Sequence, residues 1–435
     1  MVEKVAQDIY AGAAKGVRLL LPPRQIRLRM LAHARRIVVG ILPLGALVGL
    51  AMTLILLGLE HHLAPAVDSL AGRLGIPFLL PLGALVLATQ WLSWTGTGAV
   101  NLFEDLDLAR HSPFEVFPFR RSLWKVIGCG FTIGLGGSTG MEGPAKWLGA
   151  SLGVQWHRFL SWLARRVQVL RRLKSQPMTM VVSGAAAAVA VVFRAPLSGA
   201  LFAVEHDGRV AHTELIPSVI AAAAAYMVWV AFAGMAPLIP LRQGYTLAAR
   251  ELLWALPVGL VCGLVASLFL YLRKLMTEGL GRMPLVWRGL MGGVGLALLA
   301  MPGHFLFHDL QVTQRGGLEL ILHVLGGEIV PRSALLLCAL KILATALTLA
   351  AGGVGGMWIC TVAMGSCLGA GFAAWMMPQA PGLIILLAGA AFAGAVHEVL
   401  LVPVVFLAET TGQPALVVPG LIAATVALLV KQEHI

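Results

Sequence analysis

The sequence predicts an all-α membrane protein that crosses the bilayer many times and is built from two repeats of broken and tilted helices. Three observations carry this. First, 58% of the 435 residues are apolar and 12% are charged, about half the charged share of a soluble domain; mean hydropathy is +0.86. Second, glycine-rich breaks interrupt the apolar stretches at 94–99, 136–144 and 351–358. Third, two distant apolar segments match each other without a gap.

This composition excludes disorder, collagen-like repeats and disulfide scaffolds. The net charge of +12 does not mark a nucleic-acid binder, because the basic residues sit at the N-terminus and in short turns between apolar stretches. Cys129, Cys262, Cys338, Cys360 and Cys367 all lie in apolar stretches, without a CxxC pair or a histidine set. They read as small buried residues, and no metal or cofactor is expected.

Residues 1–36 carry eight Lys/Arg among apolar residues and no uninterrupted apolar run. They read as a basic amphipathic segment on the cytosolic surface of the cell (inner) membrane, with the N-terminus in the cytosol. The first span is Ile37 to Leu59 and the second Pro77 to Trp94. Further apolar stretches occupy 123–138, 178–205, 214–238, 251–272, 284–306, 333–351, 357–376, 382–408 and 415–430. Several are shorter than the roughly 20 residues of a full crossing. None shows the ten-residue alternation of a membrane barrel.

The repeat is GAAAAVAVVFRAPLSGALFAVE (184–205) against AGAAFAGAVHEVLLVPVVFLAE (388–409); both copies end on a glutamate, Glu205 and Glu409. Each follows a glycine-rich break. Irregular backbone at bilayer depth must line a cavity or be buried in protein, so paired breaks point to a binding site. Helix N-termini offer unpaired N–H groups and about half a positive charge. Converging helix starts therefore hold an anion without the tight grip of a full cation. Packing of helices through small residues is the alternative for any single break.

Glu142 decides between them. It stands inside Gly140-Met-Glu-Gly-Pro144, at the head of a helix. A carboxylate at membrane depth costs about 2.5–3.5 kcal/mol on insertion scales and marks a functional candidate. At a helix start it can occupy an anion's position and leave on protonation; the alternative is a plain N-terminal cap.

These residues resemble the chloride channel and transporter (CLC) family, prokaryotic type without CBS domains. Its GxEGP motif is matched by Gly140, Glu142, Gly143 and Pro144, and its N-A-P-L-x-G-x-L-F-x-x-E run by 194–205 with Arg194 for Asn. GSGIP corresponds to Gly96–Val100 and GxFxP to Gly356–Cys360, both degraded. The resemblance implies a homodimer with an anion pathway in each subunit, and inverted repeats over 37–238 and 250–431. It implies Glu142 as the gating residue and Thr97 at the central anion site. Gly98, Gly140, Met141, Gly143, Met357, Trp358 and Ile359 would surround the ion. The dimer interface would use residues around 195–232 and 400–428.

Departures from the family carry further expectations. The family's inner-gate tyrosine lies on a last helix, whereas this chain ends at Lys431-Gln-Glu-His-Ile435; a wider inner vestibule is expected. The paired acids of the family's proton route are Glu205 and His206 here, so an imidazole relay is a candidate beside a plain interfacial histidine. Lys146, four residues after Glu142, modifies the site either by pairing with Glu142 or by reaching water. Arg194 and Glu398 occupy matching repeat positions and either pair or stand apart. Val100 replaces the GSGIP proline.

The expected function is transmembrane transport of chloride or a similar small anion in the bilayer, with protons as possible co-substrate. Thr97's hydroxyl suits chloride better than fluoride. Proton-coupled antiport and an uncoupled channel both stay open, and a degenerate non-transporting scaffold is the rival; an organic-anion carrier would need more polar helices. No enzyme motif survives: His397-Glu398 lacks the second histidine of HExxH, and there is no P-loop.

Overall fold

The computed structural model describes residues 34, 37–75, 77–97, 113–167, 176–206, 209–241, 244–245, 249–307, 314–378 and 380–432. The rest of the basic segment 1–36, Gly98, Val100 and the side chain of His206 lie outside the described residues.

In chain order the helices are α1 (Leu42–Gly58, flanked by π turns), α2 (Ala64–Leu74), α3 (Leu80–Thr95), α4 (Phe119–Gly134), α5 (Glu142–Arg166), α6 (Pro177–Phe193), α7 (Pro196–Val204) and α8 (His212–Ala233). They continue as α9 (Ala249–Gly281), α10 (Leu285–Phe307), α11 (Leu318–Leu325), α12 (Pro331–Ala350), α13 (Trp358–Met376), α14 (Pro381–His397), α15 (Leu401–Thr411) and α16 (Val417–Gln432). Among the described residues eight helices are long and apolar enough to cross a membrane. The chain is thus an all-α, multi-span membrane protein. One two-residue antiparallel ladder, β1 (Glu205–His206) with β2 (Arg209–Val210), turns the chain from α7 to α8.

The stretch 178–205, read as one apolar run, is two helices. Arg194 takes φ 52° and ends α6, and Pro196 then starts α7 because its fixed φ suits a helix's first turn. The partner stretch 382–408 breaks at the equivalent residue, Glu398, with φ 57°. Two non-glycine residues in the left-handed region, at matching repeat positions, are the backbone signature of the repeat. α5 escapes any search for apolar runs because Lys146, His157, Arg158, Arg165 and Arg166 dilute it.

Small residues set the helix pairs at the centre. α5 crosses α6 where Gly149 and Gly153 meet Gly184 and Met180, so a Cβ at any of the three glycines would strike opposing backbone. α13 crosses α14 in the same way at Gly365 and Gly369 against Ala388 and Ile384. Without a hydrophobic drive between helices in lipid, such close approach is what packing energy is made of.

An aromatic cluster joins the halves. Trp358 lies 5.7, 5.1, 5.0 and 5.8 Å from the rings of Phe193, Phe202, His397 and Phe406. In the repeat alignment Phe193 matches His397 and Phe202 matches Phe406. The indole is therefore wrapped by two equivalent pairs.

The short helices also exchange caps. Glu205, at the end of α7, accepts the N–H groups of Leu400, Leu401 and Val402 at 2.8–3.1 Å. Glu409, in α15, accepts the N–H groups of Leu197 and Ser198 at 2.9 and 2.7 Å, and the Ser198 hydroxyl at 2.6 Å. Each carboxylate fills the unpaired donors at the other helix's start.

Candidate anion site

Two of the three glycine-rich breaks meet. Gly140 donates its N–H to the Gly356 carbonyl at 2.8 Å, and Gly356 donates to Gly140 at 2.7 Å. This bridge sets the start of α5 beside the start of α13. Helix side chains lean toward the N-terminus, so Glu142, first in α5, reaches past its own helix. Its Oε1 accepts the N–H of Ile359, in the first turn of α13, at 2.9 Å.

The carboxylate fills a slot between the two bridging glycines. A Cβ on Gly140 or Gly356 would strike it. Glu142 is 2% exposed, and its Oε2 has no partner among the described residues. The group is thus bound by one oxygen at a helix N-terminus and bare at the other. Met141 is buried immediately before it, Gly143 follows it in α5, and Met357 and Trp358 open α13. Of the residues expected around the ion, Gly140, Met141, Glu142, Gly143, Met357, Trp358 and Ile359 are therefore on the two abutting helix starts.

A cavity of about 440 Å³ opens beside Glu142, lined by Gly140, Phe193, Arg194, Gln314, Arg315, Gly316, Ile359 and Phe406 among others. Its cations are already matched: Arg194 pairs with Glu60 at 3.0 Å and Arg315 with Asp68 at 2.6 Å. Lys341, fully buried in α12, donates to the carbonyls of Gln314 at 3.3 Å and Arg315 at 2.7 Å. Gly316 packs against Ile359, where an added Cβ would sit 2.6 Å from Cγ2. Lys341 and the 314–317 segment were not among the sequence candidates. The signal was a lone lysine inside the apolar run 333–351.

Several expectations need correction. Lys146 neither pairs with Glu142 nor reaches water: it has no exposure, and its Nζ donates to the Phe202 carbonyl at 3.0 Å. That carbonyl is in the last turn of α7, where acceptors lack intrahelical donors, and Glu142 has turned away to α13. Arg194 and Glu398 do not bridge; Glu398 pairs with Lys431 and Arg194 with Glu60. Thr97 is buried, but its hydroxyl bonds that of Thr95 at 2.6 Å, and it does not line the cavity. Glu205 is occupied as the cap of α15.

The chain is similar in sequence and in fold to known proteins. Residues 78–432 match the sequence profile of the voltage gated chloride channel family. An uncharacterized protein of Methanocaldococcus jannaschii is 27% identical over 260 residues, 59% of this chain and 61% of that protein. The H(+)/Cl(-) exchange transporter ClcA of Vibrio parahaemolyticus is 28% identical over 338 residues, 71% of this chain and 67% of that protein. The match thus spans about two thirds or less of each relative's length. In fold, the chain resembles a slow cyanobacterial Cl-/H+ antiporter (TM-score 0.76, 18% identity, covering 92% of this chain and 94% of that one). It also resembles a CLC-type fluoride/proton antiporter (TM-score 0.70, 23% identity, covering 90% and 94%). With most of its length matched to that one profile, and with the fold of its solved members, this chain belongs to the voltage gated chloride channel (CLC) family.

Proposed function

We propose that the protein moves chloride or a similar small inorganic anion across the cell membrane, with Glu142 as its protonatable gate. The observation that carries this reading is the Glu142 carboxylate on the Ile359 N–H, in a buried slot between two glycines. An anion offered to the same helix start competes with that carboxylate for the same donor. A proton on the bare Oε2 removes the charge that holds the side chain there. Anion entry and protonation then favour the same displaced state.

Proton-coupled antiport and an uncoupled channel both stay open in this reading: the Vibrio protein is an H(+)/Cl(-) exchange transporter and two fold neighbours are proton antiporters, while other relatives carry the name of chloride channels. In this reading the repeats are 37–238 and 250–431, and two copies associate through the apolar faces carried by α8 and α16. Ile216, Met227, Phe232, Val418 and Leu429 are exposed there. His206 is the candidate proton relay, with a plain interfacial histidine as the alternative. The test is chloride efflux from vesicles holding the purified protein. Efflux that Glu142→Gln frees from its dependence on pH supports the gate; no efflux at any pH favours a non-transporting scaffold.

A further inference from the structure

One side of the cavity beside Glu142 is formed by a strap, the π turn Leu59–Leu63 followed by α2; Leu59, Glu60, Leu63 and Ala64 of this strap line it. Little apolar packing holds α2 in place. Among the described residues Val67 and Ala71 are its buried side chains, and no residue of α2 joins a hydrophobic core cluster. Two ion pairs tie the strap to separate walls instead. Glu60 Oε1 accepts from Arg194, at the bend between α6 and α7, at 3.0 Å, and Asp68 Oδ1 accepts from Arg315, ahead of α11, at 2.6 Å. Both arginines line the cavity, and the side chains of the two acids are 44% and 47% exposed.

Both ends of α2 are articulated. The π turn departs from the i→i−4 ladder, and Pro65, in the first turn of α2, has no N–H to continue it. Beyond Leu74 the chain turns at Gly75, with φ 66°, and nothing packs where a Cβ would be. An element with few buried apolar contacts sits at the low end of local stability, and an exposed ion pair is a weak tie. Arg194 keeps a seat when Glu60 lets go, because its guanidinium lies 4.7 Å from the Trp229 ring. A guanidinium has five N–H donors, and Arg194 and Arg315 each spend one on the strap. An anion in the cavity competes with Glu60 and Asp68 for these groups.

We propose that α2 is a lid on the cavity, hinged at the π turn Leu59–Leu63 and at Gly75 and latched by the Glu60–Arg194 and Asp68–Arg315 pairs, and that its opening admits the anion to the Glu142 slot. The lid deepens the transport reading and rests on it only for what passes beneath. It adds an outer control, made of side-chain ion pairs on one flexible strap, to the inner one made by a single carboxylate.

The test ties the strap shut in the full chain. Cys129, Cys262, Cys338, Cys360 and Cys367 are all buried, so Glu60→Cys with Arg194→Cys gives an accessible pair that a bis-thiosulfonate reagent joins and dithiothreitol frees. Chloride efflux from vesicles should fall about tenfold or more in the linked protein and return on reduction. A second measurement needs no transport. Leu318→Cys places a thiol in the cavity wall. Its modification by a bulky thiosulfonate should speed up about threefold to tenfold when Glu60→Gln and Asp68→Asn cut both latches, the combined worth of two exposed ion pairs. Asp68→Arg with Arg315→Asp, which swaps the partners, should keep the slow rate and so separate loss of a latch from loss of the fold. Equal modification rates with the latches intact and cut overturn the lid and leave the gate, and so does efflux unchanged by complete linkage. Modification that follows the latches, with no efflux in any form, upholds the lid and counts against transport.

Discussion

Glu205 and Glu409 each hold the start of the other's helix. They are equivalent in the repeat alignment, and their carboxylates cross between α7 and α15 in opposite directions. Two helices capped reciprocally by their own C-terminal acids run antiparallel by necessity. That is the local form of the inverted relation between the halves. It also fixes α7, whose Phe202 carbonyl anchors Lys146 and whose Phe202 ring packs on Trp358.

These caps set the first prediction. Glu409→Ala strips two backbone N–H groups and a buried serine hydroxyl of a charged acceptor, and Glu205→Ala strips three N–H groups. Each change should cost about 2–4 kcal/mol, read as a lowered thermal midpoint in detergent. The Gln variants, which keep one acceptor oxygen, should lose less. An unchanged midpoint for both Ala variants would show that water replaces the carboxylates.

Gly140→Ala tests the slot directly. The three atoms nearest to a Cβ at this position belong to the Glu142 carboxylate, a flexible side chain and not backbone. The variant should fold, expel the carboxylate from Ile359 and reproduce the flux of Glu142→Gln. Flux identical to wild type, pH dependence included, would show that Glu142 does not need the slot.

Lys341→Met removes the donor that holds the Gln314 and Arg315 carbonyls. Two carbonyls then lose a charged partner, a loss of about 2–4 kcal/mol. Cleavage after Arg315 by trypsin should accelerate at least tenfold, because the 314–317 segment loses its tie to α12. Lys341→Arg should restore most of the protection.

Arg194 and Glu60 supply a contrast. Their side chains are 24% and 44% exposed, and such a pair is worth about 0–1 kcal/mol. Glu60→Gln should shift the thermal midpoint less than any of the changes above. A larger shift would mean that the cavity wall depends on this pair.

Much of this arrangement is legible in the sequence. The glycine breaks at 136–144 and 351–358 mark the two helix starts that meet, and the alignment of 184–205 with 388–409 marks the equivalence that the caps and the paired bends display. The bends themselves are not legible, because arginine and glutamate rarely take positive φ. Lys146 misled for a definite reason. The i,i+4 rule assumes that both side chains lie along one helix, but Glu142 is the first residue and its carboxylate belongs to the other half. Thr97 stands on a break whose nearest hydroxyl is its own neighbour, Thr95, and that contact is invisible to a motif.

Simultaneous recording of chloride and proton flux in vesicles, for wild type and Glu142→Gln, tests the central claim most directly. The account predicts chloride flux in the wild type that rises with acidity and is accompanied by protons. In the variant it predicts chloride flux that persists, ignores pH and carries no protons. Variant flux that keeps the wild-type pH dependence and proton movement would contradict it, since the carboxylate on Ile359 would then be no gate.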